Sequence, residues 1–404
     1  MFSKRFDSVI TTGFLALFFI LALFGSAHAQ HLQSFAFNGT NGSGPDGGLV
    51  VDGSGNFYGT TGTGGAWGFG VAYEINATSE STLYDFKGSG SGDGAEAIGS
   101  LIFDSAGNLY GVTSVGGTGD CVFGETVGCG TVFELSPPSF KGGPWTETVL
   151  YSFQGLDNSD GSKPFAGLVF DDAGSLYGTT FDGGNSACDY GCGTIFELSP
   201  PSIPGGTWTE TVLHSFTGGT DDGLGSLAQL VFDEAGNLYG TTYEGGLQNY
   251  GTVFQLSPPS APGGTWTESL IYSFHKSGMA VPVAGLTWGP NGSLFGTAYG
   301  GKASGGVFSL TPSGQGEWTY KPVYEFLTPA NPQAGVVFGG PSALYGTAGL
   351  GGFVYEISYS GGSVTETKLY DVGGSVATLV VYKGALYGTT FLGTQNGTVF
   401  RLSR

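Results

Sequence analysis

The sequence predicts an all-β fold built from seven copies of one unit, and three observations support this. The phrase Leu-Tyr-Gly-Thr-Thr, or a near copy, recurs at residues 57–61, 109–113, 176–180, 238–242, 294–298, 344–348 and 386–390. No segment after residue 30 has a sustained apolar period of 3.6 residues. Aromatic residues make up 14% of the chain and keep register with the repeat. Such a period indicates that one supersecondary unit is stacked many times.

Each unit contains four predicted strands, as the third copy illustrates. They are Leu168–Asp171, Leu176–Thr180, Gly193–Leu198 and Trp208–Phe216. All four have the β-branched and aromatic content of half-buried strands. The glycines between them, part of the 78 in the chain, are typical of turns and bulges.

All four strand types can be counted seven times, which predicts a seven-bladed β-propeller. The third type, for example, centres on Tyr73, Phe133, Phe196, Phe254, Phe308, Tyr355 and Phe400. An isolated fourth-type strand, Leu32–Phe35, precedes the first unit, and the last unit ends on a third-type strand, Gly397–Leu402. We expect the first of these to complete the last blade and close the ring, which removes exposed sheet edges. An open solenoid is the alternative. The repeated Trp145, Trp208, Trp266 and Trp318 are expected to pack between blades.

The repeat also resembles a known family. The run from the aspartate turn through Leu-Tyr-Gly-Thr-Thr and Gly-Gly to Gly-Thr-Val-Phe-Glu-Leu is almost complete in the copies at 168–198 and 230–256. It resembles the GloVer (Gloeobacter/Verrucomicrobia) tandem repeats of exported bacterial proteins, and more loosely the blades of kelch and streptogramin-lyase propellers. The resemblance covers nearly all of residues 31–404. It implies a propeller and export, but no particular activity.

The first 29 residues read as a secretory signal peptide. Lys4 and Arg5 are followed by the apolar run 13–25 and by Ala27-His28-Ala29, a small-x-small cleavage site. An uncleaved membrane anchor is the alternative, although the apolar run is short for a span. We expect a secreted or periplasmic protein with no membrane insertion after cleavage.

The charge of the chain disfavours two classes of partner. The formal net charge is −20, and an acidic surface repels both nucleic acid and anionic lipid. The expected state is a monomer whose partner is a carbohydrate or a cell-surface protein.

Four cysteines occur in two equivalent loops. Cys121 and Cys129 lie in one, and Cys188 and Cys192 lie in the next copy. Local pairs in an exported protein are typical of disulfides. The alternative is one shared four-thiolate zinc site, which requires reduced thiols and shorter spacing.

Residues suited to catalysis are few. The histidines after the signal are His31, His214 and His275, and neither of the last two is expected to meet a carboxylate in the channel. Neither Gly-x-Ser-x-Gly nor His-Glu-x-x-His occurs. The sequence therefore predicts no catalytic residue, and favours a protein that is not an enzyme.

Two sets of aspartates repeat. One set lies in tight Asp-x-x-Gly hairpins, where the carboxylate caps its own turn: Asp52, Asp104, Asp171 and Asp233. The other set precedes glycine in the connection that enters the innermost strand: Asp46, Asp93, Asp160 and Asp222. The second set is interpreted either as turn chemistry or as an arc of carboxylates at one channel mouth, suited to Ca²⁺ or sugar hydroxyls.

Long loops between the second and third strands are expected on the same face as the second aspartate set. They carry aromatic residues suited to sugar stacking, among them Trp67, Phe69, Phe123, Tyr190, Tyr243, Tyr250 and Tyr299. Variable loops on a rigid scaffold are where binding is concentrated. The alternative is that these rings only cover glycine-rich loops.

Two function classes follow. The first is an exported, non-enzymatic binding module for a glycan or a surface protein, with no required cofactor and Ca²⁺ as the candidate ion. The alternative is a polysaccharide lyase or glycosidase that uses channel carboxylates, for which two carboxyl groups about 5–9.5 Å apart are expected.

Overall fold

The fold is a ring of seven four-stranded antiparallel sheets, as the sequence predicts. The computed structural model describes residues 31–403 except 124–125, 157–158, 204, 262, 302–303, 315, 329, 350–351, 361–362, 375–376 and 392–395. The predicted signal peptide therefore lies outside the described residues. From the axis outward, the strands of a blade are called first, second, third and outer.

The strand bounds are as follows. Blades 1 and 2 comprise Val50–Val51, Phe57–Thr60, Val71–Ile75 and Glu80–Asp85, then Ile102–Phe103, Leu109–Thr113, Thr131–Ser136 and Thr146–Ser152. Blades 3 and 4 comprise Val169–Phe170, Leu176–Thr179, Thr194–Ser199 and Thr209–Ser215, then Val231–Phe232, Leu238–Thr242, Thr252–Ser257 and Thr267–Ser273. Blades 5 and 6 comprise Thr287–Trp288, Leu294–Ala298, Gly306–Gly314 and Glu317–Glu325, then Val337–Gly340, Ala343–Ala348, Phe353–Ser360 and Ser363–Asp371. Blade 7 comprises Val380–Tyr382, Ala385–Thr390, Thr398–Ser403 and, as its outer strand, His31–Ala36.

Short elements complete the described structure. In four blades, a two-stranded ladder joins the connection that enters the blade to the start of the loop between its second and third strands. The four ladders pair Gly94–Ala95 with Val115–Gly116, Gly161–Ser162 with Asp182–Gly183, Gly223–Leu224 with Glu244–Gly245, and Met279–Ala280 with Gly300–Gly301. A fifth ladder, Val122–Phe123 with Thr126–Val127, lies within one loop. Ser89–Ser91 and Pro290–Gly292 form 3₁₀ turns. The ladders confirm that the two kinds of loop share one face, which we call the loop face.

The N-terminal strand closes the ring. It pairs antiparallel with the last strand of the chain from His31↔Ser403 to Ala36↔Thr398. The Phe37 N–H extends this pairing by donating to the Gly397 carbonyl at 3.1 Å. The closed propeller is therefore correct, and the open solenoid is excluded.

The core of each blade forms where a third-strand aromatic crosses the glycine of the repeated phrase. The seven third-strand aromatics are at most 2% exposed. In blade 3 a Cβ placed on Gly178 would lie 2.6 Å from Phe196 and 2.9 Å from Leu168. Only glycine allows the ring to pack so closely on the second strand.

Neighbouring blades are joined by aromatic pairs. Trp208, just before the outer strand of blade 3, packs 6.4 Å from Tyr110 in the second strand of blade 2. Equivalent contacts join Trp145 to Tyr58, Trp266 to Tyr177 and Trp318 to Tyr239. The predicted packing role of these tryptophans is confirmed.

The hairpin aspartates cap their own turns, as predicted. Asp52 Oδ1 accepts backbone N–H bonds of 2.7–2.8 Å from Ser54, Gly55 and Asn56, and its other oxygen accepts from the Tyr58 hydroxyl. Asp104, Asp171 and Asp233 repeat this pattern.

The first strands are shorter than predicted. In blade 3 the expected Leu168–Asp171 is reduced to Val169–Phe170. The innermost strand has a partner on one side only, and the residues before it leave the sheet to line the channel.

Candidate functional site

An open cavity of about 700 Å³ occupies the axis of the ring. Segments that precede the first strands of all seven blades line it. A buried Leu or Val immediately precedes each first strand. Toward the loop face, the lining residues three positions before this Leu or Val form a ring, which we call the mouth ring. The mouth ring comprises Asp46, Ile98, Phe165, Leu227, Val283 and Gln333. It is mostly apolar, with a single carboxylate.

Aromatic side chains extend the lining over blades 3 to 5. Phe165 lies edge-on to Phe181 at 5.9 Å, and Phe181 lies edge-on to Tyr243 at 6.1 Å. Tyr243 and Tyr299 both line the cavity. Burial raises the pKa of Tyr243, and the neighbouring Tyr299 adds to this effect. We call these four residues the aromatic arc.

A repeated backbone bridge positions the aromatic arc. In blade 4, Gly225 donates its N–H to the Cys192 carbonyl of blade 3 at 2.8 Å, and its own carbonyl accepts the Tyr243 N–H at 2.7 Å. In blade 3, Lys163 makes the same two bonds, to Cys129 and from Phe181. The bridging residue has a positive φ at each such position: Gly44, Glu96, Lys163, Gly225, Val281 and Asn331. The aromatic residues therefore stand on backbone that is fixed to the preceding blade.

Asp46 is the one charged side chain among the described residues that line the cavity. It is reached by solvent inside the concave mouth, and the protein packed around it raises the pKa of its carboxyl group by desolvation. Hydrogen-bond donors to this carboxylate are absent from the described residues. Asp46 can thus accept hydrogen bonds from a ligand without giving up bonds to the protein.

The structure separates Asp46 from the other three aspartates of its set. Asp93 is 6% exposed and accepts hydrogen bonds from the Tyr84 hydroxyl at 2.8 Å and from the N–H groups of Lys87 and Gly94 at 2.9 and 2.6 Å. Asp160 and Asp222 repeat this arrangement in the next two connections. The four carboxylates therefore do not form one arc, and a ligand-binding role for these three remains a prediction.

A repeated set of glutamates that the sequence interpretation missed faces these buried aspartates. They are the outer-strand residues Glu147, Glu210 and Glu268. Each lies near the aspartate in the connection that enters its own blade. Each also lies near one outer-strand residue of the preceding blade, which is Tyr84, Tyr151 and His214 respectively. One oxygen of each is buried and has no hydrogen-bond partner in the described part of the chain. Burial, then the nearby aspartate, raises the pKa of each glutamate to about 7. The repeated Trp-Thr-Glu phrase was the sequence signal for them.

Three predicted aromatic residues lie away from the cavity. Trp67 and Tyr190 are 61% and 70% exposed on their loops. Tyr250 is partly buried and packs against the hydrophobic core shared by blades 4 and 5. Phe165 and Phe181, which the sequence interpretation did not select, take part in the aromatic arc instead.

Both disulfides are present as predicted. Cys121 pairs with Cys129 and Cys188 with Cys192, with Cα atoms 5.0 and 5.3 Å apart. The four-thiolate zinc site is therefore wrong. Each disulfide braces the loop whose carbonyl, at Cys129 or Cys192, receives the bridge from the next blade.

His214 meets a carboxylate, although not in the channel. It lies on the outer strand of blade 3, and its Nε2 is 3.2 Å from Asp222 Oδ1. His275 contacts the Ser277 hydroxyl through Nδ1 at 2.9 Å. The local connection after the outer strand, rather than the axis, supplies the carboxylate for His214.

The fold and this site define a repeat-built seven-bladed propeller with an open axial cavity. The chain belongs to the Gloeobacter/Verrucomicrobia repeat family, whose pattern matches residues 119–352. No curated protein matches it.

Solved structures share the fold. Streptogramin B lyase aligns with a TM-score of 0.59 at 17% identity, over 93% of this chain and 97% of that chain. An ulvan lyase of polysaccharide lyase family PL25 aligns with a TM-score of 0.58 at 11% identity, over 91% and 95%. At these identities the similarity defines the fold alone.

Two disulfides in one chain are typical of an oxidising extracellular or periplasmic environment. In the part of the chain that the structure describes, no helix has the length and apolarity to cross a membrane.

Proposed function

We propose that this protein is an exported carbohydrate-binding module that holds part of a glycan at the mouth ring. The observation that carries the proposal is the combination of the aromatic arc with one carboxylate that has no protein hydrogen-bond donor among the described residues, Asp46, around a cavity of about 700 Å³. A cavity of this size is typical of small-ligand sites, which are mostly apolar with a few polar groups that fix orientation.

The lining suits the two kinds of surface that a sugar ring presents. The C–H face of the ring packs on apolar and aromatic side chains such as Phe165 and Tyr243. The hydroxyl groups donate hydrogen bonds to the Asp46 carboxylate, and bonds to a charged acceptor are the stronger kind. Nucleic acid and other polyanions are repelled by the same carboxylate and by the net charge of −20.

The cavity favours binding over glycoside hydrolysis. A glycosidase of the usual kind needs two carboxyl groups flanking the bond, whereas Asp46 is the single one among the described lining residues. A polysaccharide lyase is the alternative function. It is tested by incubating the protein with each bound glycan and assaying for new reducing ends or unsaturated products.

A glycan array with and without Ca²⁺ should identify a binding glycan. With that glycan, Asp46→Asn and Tyr243→Ala are each expected to weaken binding at least tenfold, with little change in Tm. Trp67→Ala and Tyr190→Ala are the matched controls, because these exposed rings lie outside the cavity lining. They should leave the affinity unchanged.

Asp93→Asn completes the comparison. Because this buried carboxylate accepts three hydrogen bonds from the protein, the substitution should lower the Tm and affect binding only through stability. If Asp46→Asn and Tyr243→Ala bind like the original protein while Trp67→Ala or Tyr190→Ala does not, the site lies on the outer loops and the mouth-ring proposal is wrong. A partner that proves to be a protein, with no glycan bound on the array, would also contradict it.

A further inference from the structure

We propose that His214, Asp222 and Glu268 bind one divalent transition-metal ion, Zn²⁺, where blades 3 and 4 meet. His214 and Glu268 lie on the outer strands of the two blades, and Asp222 lies in the connection between them. One ligand atom from each residue can be chosen so that all three lie within 4.8 Å of one another. The site is separate from the axial cavity.

The distances suit a small ion. Zinc bonds to nitrogen and oxygen of about 2.0–2.2 Å place neighbouring ligand atoms of a tetrahedron about 3.3 Å apart. His214 Nε2 and Asp222 Oδ1 are 3.2 Å apart. A carboxylate oxygen of Glu268 lies within 4.8 Å of a ligand atom from each of the other two residues. Binding would require the Glu268 side chain to move closer, and water can complete the coordination. One imidazole and two carboxylates form a donor set that zinc accepts.

The two preceding seams between blades act as internal references. At each of them a tyrosine replaces the histidine: Tyr84 donates to Asp93 at 2.8 Å, and Tyr151 donates to Asp160 at 2.9 Å. The rings occupy the same place, since Tyr151 lies edge-on to Phe153 at 5.2 Å and His214 edge-on to Phe216 at 5.0 Å. Histidine therefore puts a nitrogen with a lone pair where the repeat otherwise has a phenol, whose oxygen coordinates a metal only after losing its proton.

A second observation points to a cation. Glu268 Oε1 is buried and has no hydrogen-bond partner among the described residues, and the Glu268 carboxylate lies close to Asp222 and His214. Glu147 and Glu210 carry the same orphaned oxygen, but there the third group is a phenol. A dication would balance both carboxylates and satisfy the orphaned oxygen.

The bound ion would join the outer edges of two blades. Asp222 Oδ2 accepts hydrogen bonds from the Thr217 N–H and hydroxyl at 2.8 and 2.9 Å, and Oδ1 accepts the Gly223 N–H at 2.7 Å and lies 3.2 Å from His214 Nε2. Such support of a metal-binding carboxylate fixes its orientation. Binding requires a neutral imidazole and becomes weaker as the pH falls.

The test uses the purified protein after treatment with a chelator, titrated with ZnCl₂ alone by calorimetry and followed by Tm. We expect one Zn²⁺ per chain and a rise in Tm of several degrees. His214→Tyr restores the residue of the neighbouring seams, so it should fold normally and lose at least tenfold in affinity. Glu268→Gln should also lose affinity.

Tyr151→His is the gain-of-site variant, because Asp160 and Glu210 already face that position. We expect it to bind two ions per chain. His275→Ala, which removes a histidine outside the cluster, should keep one ion. The proposal is overturned if the original protein binds no Zn²⁺, if His214→Tyr binds as before, or if Tyr151→His gains no ion. Binding of Ca²⁺ or Mg²⁺ but not Zn²⁺ would overturn the choice of a transition metal.

Discussion

Gly178 shows how one residue sets the spacing inside a blade. A methyl group at this position would lie 2.6 Å from the Phe196 ring and 2.9 Å from Leu168, both fully buried. Because neither neighbour can move into solvent, we expect Gly178→Ala to destabilise the fold by about 1–3 kcal/mol, the usual effect of overpacking. Chemical denaturation followed by tryptophan fluorescence measures the change.

Gly53→Ala is the matched control for this substitution. Gly53 lies in a hairpin turn, and a methyl group there would meet no atom within 4 Å. The unfolding free energy of the Gly53→Ala variant should stay within about 0.5 kcal/mol of that of the original protein, as is usual for surface positions. Equal stability of Gly178→Ala and Gly53→Ala would show that the blade core adjusts freely, contrary to its close packing.

At the residue scale, the sequence predicted turn aspartates well and channel aspartates poorly. Asp52 was interpreted correctly because all of its partners lie within six residues. Asp46 was grouped with Asp93 because both precede glycine, yet Asp46 lies three residues before the buried Leu49, and Asp93 lies eight before the equivalent Leu101. The distance in sequence to the buried leucine distinguishes Asp46 from Asp93, whereas the Asp-Gly dipeptide that both share does not.

At the scale of elements, the seams between neighbouring blades bring acidic groups close to one another. Glu147 faces Asp93, Lys87 and Tyr84, and Glu210 faces Asp160 and Tyr151. Burial and the facing aspartate raise the pKa of both glutamates from 4.5 to about 7. Where the fifth blade has glycine in place of the aspartate, Tyr320 replaces the glutamate and stacks on Tyr272 at 4.1 Å. In blade 5 both the aspartate and the glutamate of the preceding seams are therefore replaced.

These glutamates give stability a definite pH dependence. A carboxyl group whose pKa is raised by folding binds its proton more tightly in the folded state, so its contribution is complete below about pH 4.5 and is lost as the pH rises through 7. We expect the Tm to fall between pH 5 and pH 8, by an effect on the order of 1 kcal/mol per glutamate once solvent screening is allowed for. The Glu147→Gln, Glu210→Gln double variant should show a flatter profile.

Glu317→Gln provides the control, because Glu317 is exposed on the outer strand of blade 5. Its Tm should follow the original pH profile when both are measured by calorimetry at pH 5, 6.5 and 8. A double variant whose profile stays as steep as that of the original protein would place the titrating groups elsewhere.

The strands within a blade could be predicted from the sequence, whereas the contacts between blades could not. The second, third and outer strands were predicted to within one residue in blade 3, because their alternation and turns are local. The seam glutamates and the aromatic arc depend on residues from different blades, such as Glu210 with Tyr151 or Phe181 with Tyr243. Their proximity follows from how the ring places one blade against the next, and the repeat pattern alone does not contain it.

At the scale of the whole molecule, six residues hold the ring shut. His31–Ala36 pairs with Thr398–Ser403 along its full length, over Phe400 and Leu402, which are at most 2% exposed. Deleting residues 30–36 would leave the third strand of blade 7 as an unpaired edge and would uncover this core. We expect the Tm to fall on the order of 10 °C, and the truncated protein to self-associate in sedimentation experiments.

Adding the missing strand back separates closure from general damage. A synthetic peptide of residues 31–37, which retains the Phe37 N–H bond to Gly397, should restore most of the lost Tm when present in excess, because it supplies the same ladder without the covalent link. A peptide with the same residues in scrambled order should restore none, since register decides which side chains reach the core. If the truncated chain keeps its Tm, or if both peptides act alike, the N-terminal strand does not lock the ring and the closed blade 7 is wrong.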